Sequence, residues 1–144
     1  MDSIRPPKPP PLSVPTVTPV KAIDASALAA LLFGEPEAEA VVGQLSDARL
    51  VAPALLAFEL ANVCLLKWRR YPEQRVALTE AFRMRDRLAV DQVAVDHDGA
   101  LQLAAETGLT VYDASYLWLA RQLGAELVTL DKQLAKAEAT WSLR

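Results

Sequence analysis

Four carboxylates, Asp24, Glu59, Asp113 and Asp131, stand where an acid can do more than decorate a surface. Asp24 closes the apolar run Val20–Asp24, and Asp131 follows the apolar run Glu126–Leu130; each precedes a segment with helical pattern. In open parallel sheets, residues just beyond the carboxyl ends of the strands share one edge of the molecule, and ligands bind there. Asp113 lies at the start of another helical segment, sharing a face with Tyr116, Leu117 and Ala120. Aspartate is also an ordinary helix cap, favoured by the positive end of the helix dipole, so each of these residues singly has a purely structural explanation.

Glu59 does not fit that explanation. At 100° per residue it falls among Leu55, Leu56, Val63 and Leu66, on the apolar stripe of its helix, where an unpartnered carboxylate would cost several kcal/mol or take up a proton. A shared divalent cation would compensate it, with Asn62 one turn on as a hydrogen-bonding neighbour. An arginine or backbone N–H groups would be the alternative partners. An oxygen-only donor set suits Mg²⁺ or Mn²⁺, and a chain with one His and one Cys cannot build an ordinary zinc site. His97, between Asp96 and Asp98, is read as a solvated residue behind a helix cap at Asp96.

These residues require a scaffold of alternating strands and helices, which predicts a mostly parallel sheet covered by helices on both faces. The segments are a strand at Val20–Asp24, a helix at Ser26–Phe33 stopped by Gly34, a helix from Pro36 to about Ala48, and a strand at Leu50–Ala52. A helix from Pro53 to about Arg70 follows, then another from Pro72 to about Leu88 and a short strand at Val93–Val95. Helices from His97 to Gly108 and over Asp113–Leu123, a strand at Glu126–Leu130 and a helix at Asp131–Glu138 complete the series, with Trp141–Leu143 as a possible edge strand.

Composition bounds the rest. The 144 residues are 52% hydrophobic, enough for one domain with a substantial core. Seven of the ten prolines fall within the first nineteen residues, predicting an extended, disordered arm over 1–19 and one compact domain over 20–144. A single Cys64 in an apolar helix, no long apolar span and no secretory signal pattern point to a cytoplasmic protein without membrane contact. The net charge of −3 argues mildly against a polyanion binder. However, Lys67, Arg69, Arg70, Arg75, Arg83, Arg85 and Arg87 cluster against only Glu73, Glu80 and Asp86, so one surface is basic. Arg83 and Arg87 are expected to face phosphates.

The runs Ile23-Asp24-Ala25-Ser26-Ala27-Leu28, Phe58-Glu59-Leu60-Ala61-Asn62-Val63, Val111-Tyr112-Asp113-Ala114-Ser115-Tyr116-Leu117 and Leu127-Val128-Thr129-Leu130-Asp131 together resemble, in order and spacing, PIN-domain ribonucleases of the VapC type. The resemblance covers about residues 20–139. It implies a PIN-like three-layer α/β/α fold and an acidic pocket holding Mg²⁺ or Mn²⁺, with metal-binding and catalytic roles for Asp24, Glu59, Asp113 and Asp131. Ser26 and Thr129 match the hydroxyls lining that pocket. It further implies RNA phosphodiester hydrolysis, a cognate VapB-type antitoxin and a homodimer. The proline-rich arm departs from the family pattern. Receiver-like and phosphatase-like readings of the strand-end acid want a second acid nearby, which Asp24-Ala25-Ser26 lacks. The remaining competitor is a PIN-like module that grips RNA or a protein without cutting.

Overall fold

The computed structural model describes residues 5–9 and 18–142. Much of the expected arm, 1–4 and 10–17, lies outside the described residues, as does Leu143; residues 5–9 are exposed and carry no regular structure.

Four short parallel strands, β1 (Val20–Ile23), β2 (Arg49–Ala52), β3 (Asp91–Gln92) and β4 (Glu126–Val128), form one sheet in the order β3-β2-β1-β4. The chain steps outward from β1 to β3 and then returns to the other side of β1. Its topological switch point therefore lies between β1 and β4, where Ala22 pairs with Leu127 and Ile23 with Val128. The helices are α1 (Ala25–Phe33), α2 (Ala38–Leu45), α3 (Leu55–Arg70), α4 (Arg75–Arg83), α5 (His97–Thr107), α6 (Val111–Leu123) and α7 (Lys132–Ser142). Helix α1 packs on α2, α3 and α4, while α5 packs on α6, and α6 on α7 and β1. The result is the expected three-layer α/β/α arrangement. Ile23, Leu28, Leu60, Tyr116, Leu117, Leu119, Val128 and Leu134 form the centre of its core.

Glycine ends three helices as expected: Gly34, Gly108 and Gly124 all adopt the left-handed conformation that a side chain would strain. Asp96 caps α5 through the Gly99 N–H, leaving His97 at the helix start. Cys64 is buried in α3 as a small apolar residue.

Apart from shifts of a few residues at the ends of other elements, four segments differ from the sequence reading. The second helix stops at Leu45 rather than near Ala48. The helix expected over Pro72–Leu88 is three pieces, with 3₁₀ turns at Pro72–Gln74 and Met84–Leu88 on either side of α4. The strand expected at Val93–Val95 pairs earlier, at Asp91–Gln92. Asp91 meets Arg49 of β2 in an ion pair, and the Val93 N–H still bonds the Ala52 carbonyl before the chain leaves the sheet. Trp141 belongs to α7, not to an edge strand, because the helical pattern from Lys132 continues without a stop residue. No helix among the described residues is long and apolar enough to cross a membrane.

Candidate active site

Because every strand of the sheet is parallel, the helices that follow β1 and β4 begin at the same edge. Asp24 is the first residue past β1 and Asp131 the third past β4, on either side of the switch point. The Asp24 backbone N–H bonds the Val128 carbonyl, tying the two strand ends together. Asp24 caps α1, its Oδ1 accepting the Ala27 N–H at 3.0 Å. Asp131 Oδ1 accepts the Leu134 N–H at 2.9 Å in the first turn of α7. The capping role foreseen for these aspartates is therefore real, and it fixes where their carboxylates stand.

Two hydroxyls bridge the strand ends. Ser26 Oγ donates to Asp24 Oδ1 at 2.7 Å and accepts the Leu130 N–H at 2.9 Å. Thr129 Oγ1 donates to Asp24 Oδ2 in a short hydrogen bond and accepts the Asp131 N–H at 3.0 Å. Ser26 and Thr129 thus hold an Asp24 that is only 5% exposed.

Asp113 lies at a helix beginning as expected, but the helix starts two residues earlier, at Val111. Thr110 is the N-cap of α6, its hydroxyl accepting the Asp113 N–H at 3.1 Å, and Asp113 sits within the first turn. The cap function belongs to the threonine, so the Asp113 carboxyl is left over for another role.

Glu59, from α3, reaches the same region. Its Oε1 accepts the Tyr116 hydroxyl at 2.7 Å, from the residue that helical spacing placed on one face with Asp113, Leu117 and Ala120. Tyr116 is indeed core, at 1% exposure, but its hydroxyl ends at the acid. The stripe expected around Glu59 is only partly buried: Leu56 is inside, Leu55 and Val63 are half-buried, and Leu66 is exposed. Asn62 is exposed too.

The acids feel one another. Burial pushes the Asp24 carboxyl above its ordinary range, against the pull of Thr129, Ala27 and Ser26, and the charge of Asp131 adds to the rise. Burial likewise raises Glu59, with Tyr116 opposing and the charges of Asp113 and Asp24 assisting. Asp113 is raised by burial and then by Asp131 and Asp24, with Thr110 opposing. Burial and the charge of Glu59 push the Tyr116 phenol strongly upward, so it remains a donor. Among the described residues none of the four carboxylates has a Lys or Arg ion-pair partner. Three helix N-termini, of α1, α6 and α7, direct their partial positive charge at this edge and offset part of the repulsion.

This charge balance, all-oxygen and unneutralised, fits a hard divalent cation. The carboxylates are nevertheless spread: no three His, Cys, Asp or Glu side chains among the described residues are close enough to enclose an ion. The four acids and the hydroxyls of Ser26 and Thr129 make this edge acidic and oxygen-rich.

The basic segment has a divided fate. Lys67 pairs with Glu35 at 3.0 Å, Arg75 lies over Trp68 and Arg85 over Phe82, so these cations serve packing. Arg83 and Arg87 are exposed. Residues that spacing did not single out are Thr110, whose signal was an acid three positions later, and the hydroxyl of Tyr116, one turn beyond Tyr112.

Comparison with known proteins converges on one family. A family model for the PIN domain matches residues 21–139. Ribonuclease VapC3 of Pyrobaculum aerophilum is 38% identical over 119 residues, which span 79% of this chain and 91% of that relative. Among solved structures, PAE2754 from the same organism superposes with a TM-score of 0.67 at 26% identity, over 88% of this chain and 94% of that one. VapC20 of Mycobacterium tuberculosis, a sarcin-ricin-loop-cleaving toxin, shares the fold with a TM-score of 0.59 at 17% identity, over 81% of this chain and 94% of that one.

Proposed function

The chain belongs to the PIN-domain family and stands with its VapC-type members, and on that premise we propose that it is a metal-dependent endoribonuclease acting as the toxin of a toxin-antitoxin pair. The observation that carries this reading is the meeting of Asp24 and Asp131 at the switch point of the sheet, within range of the charges of Glu59 and Asp113.

In this reading Asp24 and Asp113 would be the principal metal ligands, Glu59 would bind the metal or a water beside it, and Asp131 would complete the site. These residues would hold Mg²⁺ or Mn²⁺, which would supply the positive charge that phosphodiester hydrolysis requires at the phosphoryl oxygens. The chain's own residues do the positioning. Ser26 and Thr129 fix both oxygens of Asp24, and the Tyr116 hydroxyl orients Glu59. Asn62 lies one turn beyond Glu59 on α3 as an outer hydrogen-bonding group. Arg83 and Arg87 meet the RNA backbone.

Residues 20–144 form the nuclease domain in this reading, with 1–19 as an appended proline-rich arm. The partners are RNA, a VapB-type antitoxin and a second copy of the chain, and the setting is the cytoplasm. Incubating the purified protein with structured RNAs, with and without Mg²⁺ or Mn²⁺, tests the reading. Cleavage dependent on the ion is expected. RNA binding without cleavage under any ion would favour a non-catalytic PIN-like module instead.

A further inference from the structure

The carboxyl edge of the sheet carries a cavity that the acids do not use. Leu28 of α1, Leu56 and Leu60 of α3 and Ala52 at the end of β2 wall a space of about 210 Å³, and Arg85, Asp86 and Gln92 bring polar groups to it. That volume is below the roughly 300–1,000 Å³ of sites for drug-sized ligands, so it suits a small ring.

The place of the cavity follows from strand register. In the parallel pair β1 and β2, Val51 stands opposite Ala22, so Ala52 is beside Ile23, and Pro53, which also lines the cavity, is beside Asp24. Neighbouring strands lie about 4.8 Å apart. Leu28 is tied to the Asp24 carbonyl through its own N–H, and Leu60 follows Glu59 on α3. The cavity thus adjoins the acids on the β2 side of Asp24, away from Asp131. Its outer wall is the 3₁₀ turn Met84–Leu88, which follows the exposed Arg83 and contains the exposed Arg87.

The polar groups are held differently. The Arg85 guanidinium lies over the Phe82 ring, 4.0 Å from its centroid, and donates from Nη1 to the Phe82 carbonyl at 3.1 Å, so its plane is fixed while other N–H donors stay available. The side chains of Asp86 and Gln92 have no partner among the described residues. An apolar slot with a fixed donor, an acceptor-only carboxylate and an amide matches the face and edge of a heterocyclic base. Adenine, guanine and cytosine each carry an amino group that can donate to Asp86. Uracil has none, and the carbonyls flanking its single N–H set an oxygen against the carboxylate. Resting on the ribonuclease reading above, we propose that this cavity is a nucleobase subsite that takes an amino-bearing base beside the scissile phosphate, with Asp86 selecting against uracil.

The test takes one RNA that the parent cuts at a mapped position and sets each of the four bases in turn at the two nucleotides on either side of that position. At one of them, uracil should lower kcat/KM for the parent about tenfold against the other three bases, the size of one hydrogen bond to a charged group. Asp86→Asn, whose amide can donate to a carbonyl, should remove most of that penalty and leave base preferences at the other nucleotides unchanged. Ala57→Phe, at an exposed position lining the cavity, should fill it and raise KM for every version more than it changes kcat. Thermal melts of both variants, in EDTA and in Mg²⁺, should match the parent, since both positions are exposed. A parent with no base preference at any of these nucleotides, or a uracil penalty that survives Asp86→Asn, overturns the proposal and leaves the ribonuclease reading intact. An Ala57→Phe variant that cuts RNA as the parent does but escapes a co-expressed protein inhibitor assigns the cavity to a protein partner and overturns the proposal as well. A parent that cuts no RNA overturns both.

Discussion

At the scale of single residues, the site is defined by acids held in a place that disfavours their charge. Glu59 shows how this can be measured, because Gln keeps an acceptor for the Tyr116 hydroxyl while removing the charge. Its carboxyl is raised by burial first and by Asp113 and Asp24 next. The folded state therefore binds the proton more tightly than the unfolded chain does, and ionised Glu59 penalises folding. That penalty is fully present above the raised folded value. It disappears as pH falls toward the ordinary carboxylate value of about 4. In EDTA at pH 7, Glu59→Gln should be at least as stable as the parent, by up to about 1 kcal/mol. The gap should close as the solution is acidified. Urea denaturation of both proteins at several pH values checks this, and a gap that widens toward acid pH would contradict the assignment. The four acids themselves could be read from the sequence, since strand-end and apolar-face positions are visible in spacing. The hydroxyl of Tyr116 could not, because a helical period places the ring in the core but says nothing about what its far end meets.

At the scale of elements, the sequence carried most where a residue type has one conformational use. The glycines that end α1, α5 and α6 and the Asp96 cap of α5 were all readable in this way. It carried least where two patterns compete. The Pro72–Leu88 segment has helical periodicity throughout, yet it breaks at both ends of α4, and Ala89 after it is left-handed. The basic cluster illustrates the same limit. Charge density was visible, but which cations were spent on Trp68, Phe82 or Glu35 depended on packing. Arg83 and Arg87, on α4 and the turn after it, remain exposed. Reversing both charges should weaken RNA binding and reduce the steepness of its salt dependence, because fewer counterions are released from the phosphates. Metal-induced stabilisation should not change. Binding titrations across a range of salt concentrations test this, and an unaltered slope would remove α4 from the RNA surface.

At the scale of the whole molecule, strand alternation and helix patterning were sufficient for the α/β/α architecture, because a parallel sheet leaves few ways to return the chain. The pairing order β3-β2-β1-β4 was not readable from pattern, and it is this order that brings Asp24 and Asp131 to either side of the switch point. The fold also leaves apolar groups outside the core: Val42 on α2, and Phe58 and Leu66 on α3, are exposed, Phe58 by 80%. Under the toxin reading proposed above, an antitoxin would cover such a surface. Co-expression with the product of a small adjacent reading frame should yield a stable complex and suppress cleavage. Failure to do either would count against the toxin assignment while leaving the nuclease intact.

The central claim is that the four acids form a metal-dependent catalytic centre, and Asp113→Asn isolates it. Thr110 already caps α6, and Asn is nearly as good as Asp near a helix start, so the substitution changes charge with little effect on the helix. Parent and variant are melted in EDTA and in millimolar Mg²⁺, beside an RNA cleavage assay. The parent should gain thermal stability from Mg²⁺ by binding it in the folded state and should cut RNA. The variant should lose both the gain and the cleavage, yet be as stable as the parent in EDTA or more so, by about 1 kcal/mol. A variant that still cuts RNA and still responds to Mg²⁺ would contradict the account.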